Sequence, residues 1–219
     1  MNIALFGGTF DPIHSGHLAA ARAAEAAFSL DAIHFIPACV PPHKRRRRLT
    51  AFAHRYAMVA LGCAGSSGFL PSLIESGEAG AAEPNYSIAT VRKVAAGLGP
   101  ADQLFFLIGA DAFLDIRQWH EPVALLDAAD FIVVSRPGFS IAHVAEVIPP
   151  ELGSRALSNH TIELRRTRVH LLTTVEADIS SSGIRRLAAG KKSLGGLVPD
   201  PVAEYIRKLS LYQHEEQTD

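Results

Sequence analysis

The sequence predicts an α/β fold built on a doubly wound parallel sheet, and two observations carry that expectation. First, Ile3–Phe6 (IALF) is an apolar run broken by Gly7 and Gly8, a helical pattern begins near Ser15, and Ala32–Pro37 (AIHFIP) is a second apolar run. Strand, helix and strand in so short a stretch favour a right-handed crossover between parallel strands. Second, Gln103–Ile108 (QLFFLI), Phe131–Ser135 (FIVVS) and Val169–Thr174 (VHLLTT) read as further core strands. In such a sheet, ligands bind in the crevice at the carboxyl ends of the strands.

The first strand runs into GGTFDPIHSGHL, residues 7–18. Gly7 and Gly8 let backbone N–H groups approach an anion, and the helix behind the loop offers unpaired donors with a partial positive charge. His14 and His17 are three apart at that helix start, so both can point from one face toward the anion and donate to phosphate oxygens. The pattern GGTFDPIHSGH resembles the signature of the nucleotidyltransferases with an HxGH motif, a superfamily related to class I aminoacyl-tRNA synthetases, and a joint match over this many residues is specific. The resemblance implies a Rossmann-like nucleotidyltransferase fold with a small C-terminal helical part, and ATP contacts from Gly7, Gly8, Thr9, Phe10, His14 and His17.

Alanine-rich residues 15–29 form the first helix. The second strand then delivers Pro37–Lys44, where three prolines forbid a regular helix. PPHK resembles the segment whose basic residue reaches the phosphates in the nicotinate mononucleotide adenylyltransferases, which makes Lys44 the candidate for that role; relatives often carry asparagine where this chain has Cys39. The run KRRRR is open to three readings: a solvated loop, a flap over triphosphate, or a nucleic-acid contact. Residues 51–64 have the periodicity of a core helix, and Phe69–Glu75 is a short strand that Pro71 demotes toward an edge.

Asn85-Tyr86-Ser87 opens the next helix, with Ser87 as N-cap. In the resembled enzymes a Tyr followed by Ser or Thr lies against the pyridine nucleotide, so Tyr86 and Ser87 join the candidate site beside the plainer reading of a capped helix. The central strand ends in Gly109-Ala110-Asp111, and a carboxylate just past a parallel strand can accept from ribose hydroxyls. IGAD with Trp119 eight residues on resembles the family pattern in which the aspartate contacts ribose and the indole stacks on the pyridine ring. Asp111 as a helix cap and Trp119 as core stay open. Arg136, at the end of the next strand, is a further nucleotide candidate. Residues 139–168 offer no catalytic group.

Near the other end, Ile179–Arg185 (ISSSGIR) closely resembles the superfamily's ISSTxIR motif. Hydroxyls and N–H groups at a helix start bind phosphate, and Arg185 adds a delocalised charge, so Ser180, Ser181, Ser182 and Arg185 are assigned to ATP. Residues 197–206 resemble the family's closing helix, proline-started and ending near Leu211-Tyr212. The expected organisation is one nucleotidyltransferase domain over residues 1–212 and a polar tail over 213–219.

Composition narrows the function further. The 219 residues are 48% hydrophobic, enough for a sizeable core, and 21 Lys plus Arg against 22 Asp plus Glu give no global field toward nucleic acid or membrane. Cys39 and Cys63 have no metal or redox spacing, and the N-terminal apolar run is too short for a signal peptide or a membrane span, so a cytoplasmic protein is expected. The inventory suits direct nucleotidyl transfer. By resemblance, nicotinate mononucleotide attacks the α-phosphorus of ATP, with His14, His17, Lys44 and Arg185 as catalytic residues. Gly8, Lys44, Tyr86, Ser87, Asp111, Trp119 and Arg136 bind the mononucleotide, and Mg2+ arrives with ATP. Alternatives are a sister adenylyltransferase for nicotinamide mononucleotide or phosphopantetheine, a nucleic-acid-binding module and an idle nucleotide sensor; a homo-oligomer stays open.

Overall fold

The computed structural model describes residues 1–40, 49–77, 84–135, 139–173 and 179–213. Eight strands form one sheet in the order β3-β2-β1-β4-β5-β8-β7-β6. These are β1 (Asn2–Gly8), β2 (Ala32–Pro37), β3 (Phe69–Pro71), β4 (Gln103–Gly109), β5 (Asp130–Ser135), β6 (Arg155–Ser158), β7 (Thr161–Glu163) and β8 (Arg168–Thr173). From β3 to β8 every pairing is parallel, while β7 and β6 add an antiparallel hairpin at one edge. The sheet is therefore mixed, with the expected doubly wound parallel part at its centre.

Alternate residues of the central strands supply two cores, which is what a sheet covered on both faces requires. Ala4, Phe6, Phe35, Phe105, Leu107 and Ile132 face one layer, made by α1 (Ser15–Phe28), α2 (Phe52–Cys63), α7 (Ser181–Ala189) and α8 (Asp200–Lys208). Ile3, Leu5, Phe106, Ile108, Phe131 and Val133 face the other, made by α3 (Ser87–Ala95), α4 (Ala110–Leu114), α5 (Pro122–Leu126) and α6 (Ile141–Val147). The C-terminal helices are thus part of a main layer: Ile184, Val202, Ile206 and Tyr212 lie in the same core as Phe6. No helix among the described residues is long and apolar enough to cross a membrane.

Several boundaries differ from the sequence expectation. The strand expected over 69–75 stops at Pro71, on an edge strand where a proline without an N–H is tolerated, and one further bond, from Ser72 N–H to the Phe35 carbonyl, follows it. The N-cap of α3 is Tyr86 rather than Ser87, and no side chain caps it. The closing helix ends at Lys208, and a turn carries the chain to Tyr212. The chain steps outward from β1 through β2 to β3, then returns to place β4 on the other side of β1. That reversal opens a crevice between the carboxyl ends of β1 and β4.

Candidate active site

At the end of β1 the chain turns sharply through Phe10, whose φ of 48° is left-handed. Its ring folds back over Gly8, where a Cβ would meet it at 3.0 Å, so only glycine fits there without a shift. The same ring stands edge-on to His17, with centroids 5.1 Å apart. The loop then enters α1 through a reciprocal cap made by two histidines. His14 Nδ1 accepts from His17 N–H at 3.4 Å, and His17 Nδ1 accepts from His14 N–H at 3.2 Å. The rings stack with centroids 3.6 Å apart.

This arrangement fixes the proton positions. A ring that accepts at Nδ1 carries its hydrogen on Nε2, so each neutral histidine keeps an Nε2–H donor on its opposite edge. Burial pushes the His14 pKa down to about 4, because an imidazolium there would lose its hydration. His14 is thus a neutral donor, and the reciprocal cap pre-orients both rings.

Both histidines line a cavity of about 1360 Å3. That exceeds the usual range for a single small ligand, roughly 300–1,000 Å3. Gly7, Gly8 and Thr9 line it from the loop after β1, Gly109 and Asp111 from the end of β4, and Tyr86, Ser87, Trp119 and His120 from the approaches to α3 and α5. Trp119 is half-buried and stands edge-on to Phe106, while Tyr86 and His120 stack at 4.1 Å. Arg92 donates to both carboxylate oxygens of Glu121, tying α3 to the start of α5 behind that stack. Asn85 accepts from Val40 N–H at 2.7 Å and pins the chain just past β2 to the start of α3.

A model of the cytidylyltransferase-like family matches residues 5–187. The chain belongs to this family. It is 40% identical to the probable nicotinate-nucleotide adenylyltransferase of Geobacter sp. (strain M21), over 97% of this chain and 98% of that one. The probable nicotinate-nucleotide adenylyltransferase of Solibacter usitatus is 43% identical, over 97% of this chain and all of that protein. These relatives place the chain among the nicotinate-nucleotide adenylyltransferases. The solved Plasmodium falciparum nicotinic acid mononucleotide adenylyltransferase complexed with NaAD shares its fold, with a TM-score of 0.69 over 97% of each chain at 21% identity.

Of the residues singled out in this family member's sequence, Gly7, Gly8, Thr9, His14, His17, Tyr86, Ser87, Asp111 and Trp119 meet on the cavity wall. Asp111 lies in the first turn of α4, whose N-cap is Gly109, so the alternative of an Asp111 cap does not hold. Phe10 is buried under the loop, off the cavity wall. Arg185 also lies off that wall: it is 5% exposed, and its Nη1 donates to the Asp11 carbonyl at 2.7 Å. Ser180 caps α7 by accepting from Gly183 N–H, Ser182 Oγ is 3.2 Å from Ser180 Oγ, and Ser181 Oγ donates to the Pro12 carbonyl. The start of α7 therefore abuts the histidine loop, and Ile179 reaches the cavity from it. Lys44, Arg136 and the KRRRR run lie outside the described residues.

Other wall residues carried no expectation from the sequence. Glu75 is half-buried, accepts from Thr90 Oγ1 at 2.6 Å, and has its pKa raised by burial. Ser135 lines the cavity, and its buried Oγ has no hydrogen-bond partner among the described residues. Phe139, His143 and Glu146 reach the far side from α6 and its approach; their spacing of three to four was a helical signal available in the sequence.

Proposed function

We infer that this chain transfers the adenylyl group of ATP to nicotinate mononucleotide, forming deamido-NAD and releasing pyrophosphate. One observation carries the reading: a single cavity lined by two stacked, pre-oriented histidine donors and by the aromatic side chains of Trp119, Tyr86 and His120. A phosphoryl group belongs beside the histidines and a flat, apolar-faced ring against the aromatic side chains. The identity to proteins named nicotinate-nucleotide adenylyltransferase supports the choice of ring.

In this reading the two nucleotides lie along the crevice with their phosphates beside the histidine loop. A 5′-phosphate oxygen of the mononucleotide attacks the α-phosphorus of ATP in line. The bond from that phosphorus to the bridging oxygen breaks, and the electron pair leaves with pyrophosphate. The nucleophile is already an anion, so no base is needed. The Nε2–H groups of His14 and His17 take the charge that grows on the transferring group and the leaving oxygen, and being pre-oriented they need no rearrangement during the reaction. The N–H groups of Gly8 and Thr9 and the start of α7 add donors on the same side. Asp111 accepts from a ribose hydroxyl, Trp119 stacks on the pyridine ring, and the first-turn N–H groups of α3 favour a carboxylate over an amide. Lys44 and Arg136 stand as further phosphate ligands on the strength of the motif alone.

Mg2+ brought with ATP would neutralise charge on the phosphates, with water and the phosphates themselves rather than a protein cage to hold it. The donor set fits that arrangement. The histidine end offers N–H groups rather than carboxylates, and the Asp11 carboxylate is occupied by Tyr212 and Thr50. We place the reaction in the cytoplasm.

The test is ATP with nicotinate mononucleotide, then with nicotinamide mononucleotide, following pyrophosphate release. Faster turnover with the acid is expected. Preference for the amide overturns the substrate, and release with neither overturns the reaction.

A further inference from the structure

Beneath the cavity lies a buried polar cluster that the transfer step does not itself use. Asp11, in the middle of the histidine loop, is 3% exposed. One carboxylate oxygen accepts from Tyr212 Oη at 2.9 Å, and the other from Thr50 N–H at 3.2 Å. Arg55, from α2, is 1% exposed and donates to the Thr9 carbonyl at 2.8 Å and to the Thr50 carbonyl at 2.9 Å. With Arg185 on the Asp11 carbonyl and Ser181 on that of Pro12, three carbonyls of the loop are held by side chains from two helices.

Charges of this kind are expensive to bury, and a well-packed apolar cluster is commonly as stable or more so. What a fully bonded polar cluster adds is a unique position for the groups it holds. The loop needs that. Its Phe10 backbone is left-handed, a conformation that persists in a large residue only where the surroundings impose it. Three residues after Asp11 the same backbone must place His14 at the N-cap, with its Nδ1 on His17 N–H. Tyr212 closes the arrangement from the other end of the sequence, with its ring in the α8 core and its hydroxyl on Asp11.

We propose that Tyr212, acting through Asp11, is a positioning residue for adenylyl transfer: its hydroxyl holds the carboxylate that holds the loop, and so sets where His14 and His17 present their donors. The proposal rests on the reaction inferred above. Tyr212→Phe removes only the hydroxyl and keeps the ring packed. A displaced donor pair affects the transition state more than the bound ground state. In Tyr212→Phe, kcat falls about tenfold while the KM values for ATP and nicotinate mononucleotide stay within about twofold, well below the melting temperature of the variant.

The control is Tyr205→Phe, which deletes a hydroxyl that contacts His54 Nδ1 at 2.9 Å; it leaves kcat unchanged. Asp11→Asn, which keeps one acceptor oxygen where two are used, repeats the test should Tyr212→Phe fail to fold. A second readout needs no turnover: the ring resonances of His14 and His17 shift in Tyr212→Phe and stay in place in Tyr205→Phe. A wild type inactive with both mononucleotides overturns the reaction and leaves the resonances to decide this proposal. With an active wild type, a Tyr212→Phe protein of unchanged kcat overturns it, whether or not its melting temperature falls. An equal loss in Tyr205→Phe overturns it too.

Discussion

Lowering the pH perturbs the histidine pair directly. His14 is 7% exposed, and burial brings its pKa from 6.5 to about 4. The folded value lies below the unfolded one, so this contribution to stability is fully present above pH 6.5 and is lost as the pH falls from there toward 4. At about pH 4.5 nearly every unfolded chain has a proton on this ring and roughly a quarter of folded chains do. Linkage then gives a loss of roughly 2 kcal/mol between pH 7 and about pH 4.5. His14→Asn supplies the comparison, because asparagine also caps a helix but takes up no proton in this range. Urea unfolding of both proteins at the two pH values measures the difference. Burial also lowers the values of His34 and His170, but both are present in wild type and variant and cancel. The wild type should lose roughly 2 kcal/mol more than the variant. Equal losses would mean that His14 titrates normally in the fold, and the picture of a neutral donor kept dry by burial would be wrong.

His17→Ala should reduce turnover at least about a hundredfold with folding intact, since it removes a donor to transition-state charge; an active variant moves the chemistry elsewhere. Trp119→Ala should weaken both mononucleotides by about tenfold, for a lost aromatic contact of about 1.5 kcal/mol, and leave the preference for the acid in place. Specificity constants for both substrates check this, and a preference that disappears refutes the assignment of carboxylate recognition to α3. Arg185→Ala should cost about 3 kcal/mol in chemical denaturation, because the Asp11 carbonyl loses a charged donor inside the core. A raised KM for ATP at unchanged stability would place the guanidinium on phosphate instead.

The central strands were legible because their runs are apolar without interruption, and the histidine loop because its pattern is long. The hairpin of β6 and β7 was not: all four residues of β6 are exposed and only Ile162 of β7 is buried, so no hydrophobic period marks it. Motif membership identified Phe10 and Arg185 without saying where they point. For Arg185 the direction was in the helix spacing. Ile184 and Ala188 lie four apart on the buried face of α7, and Arg185 sits beside Ile184 on that face. Glu75, His120 and Ser135 come from three separate loop or strand ends, and only the folded sheet brings them to one wall.

The cavity wall is built from different parts of the chain. The histidine donors hang on β1 and α1, while the aromatic side chains are carried by the approaches to α3 and α5, which Arg92 and Glu121 brace together. Under the inferred reaction, the acceptor nucleotide would be read by residues separate in sequence from the histidine loop. A library confined to positions 86, 87, 119 and 120 would explore new acceptor rings on an unchanged catalytic frame. Activity that moved to other ring-bearing phosphates while pyrophosphate was still released would mark those four positions as a swappable reading head.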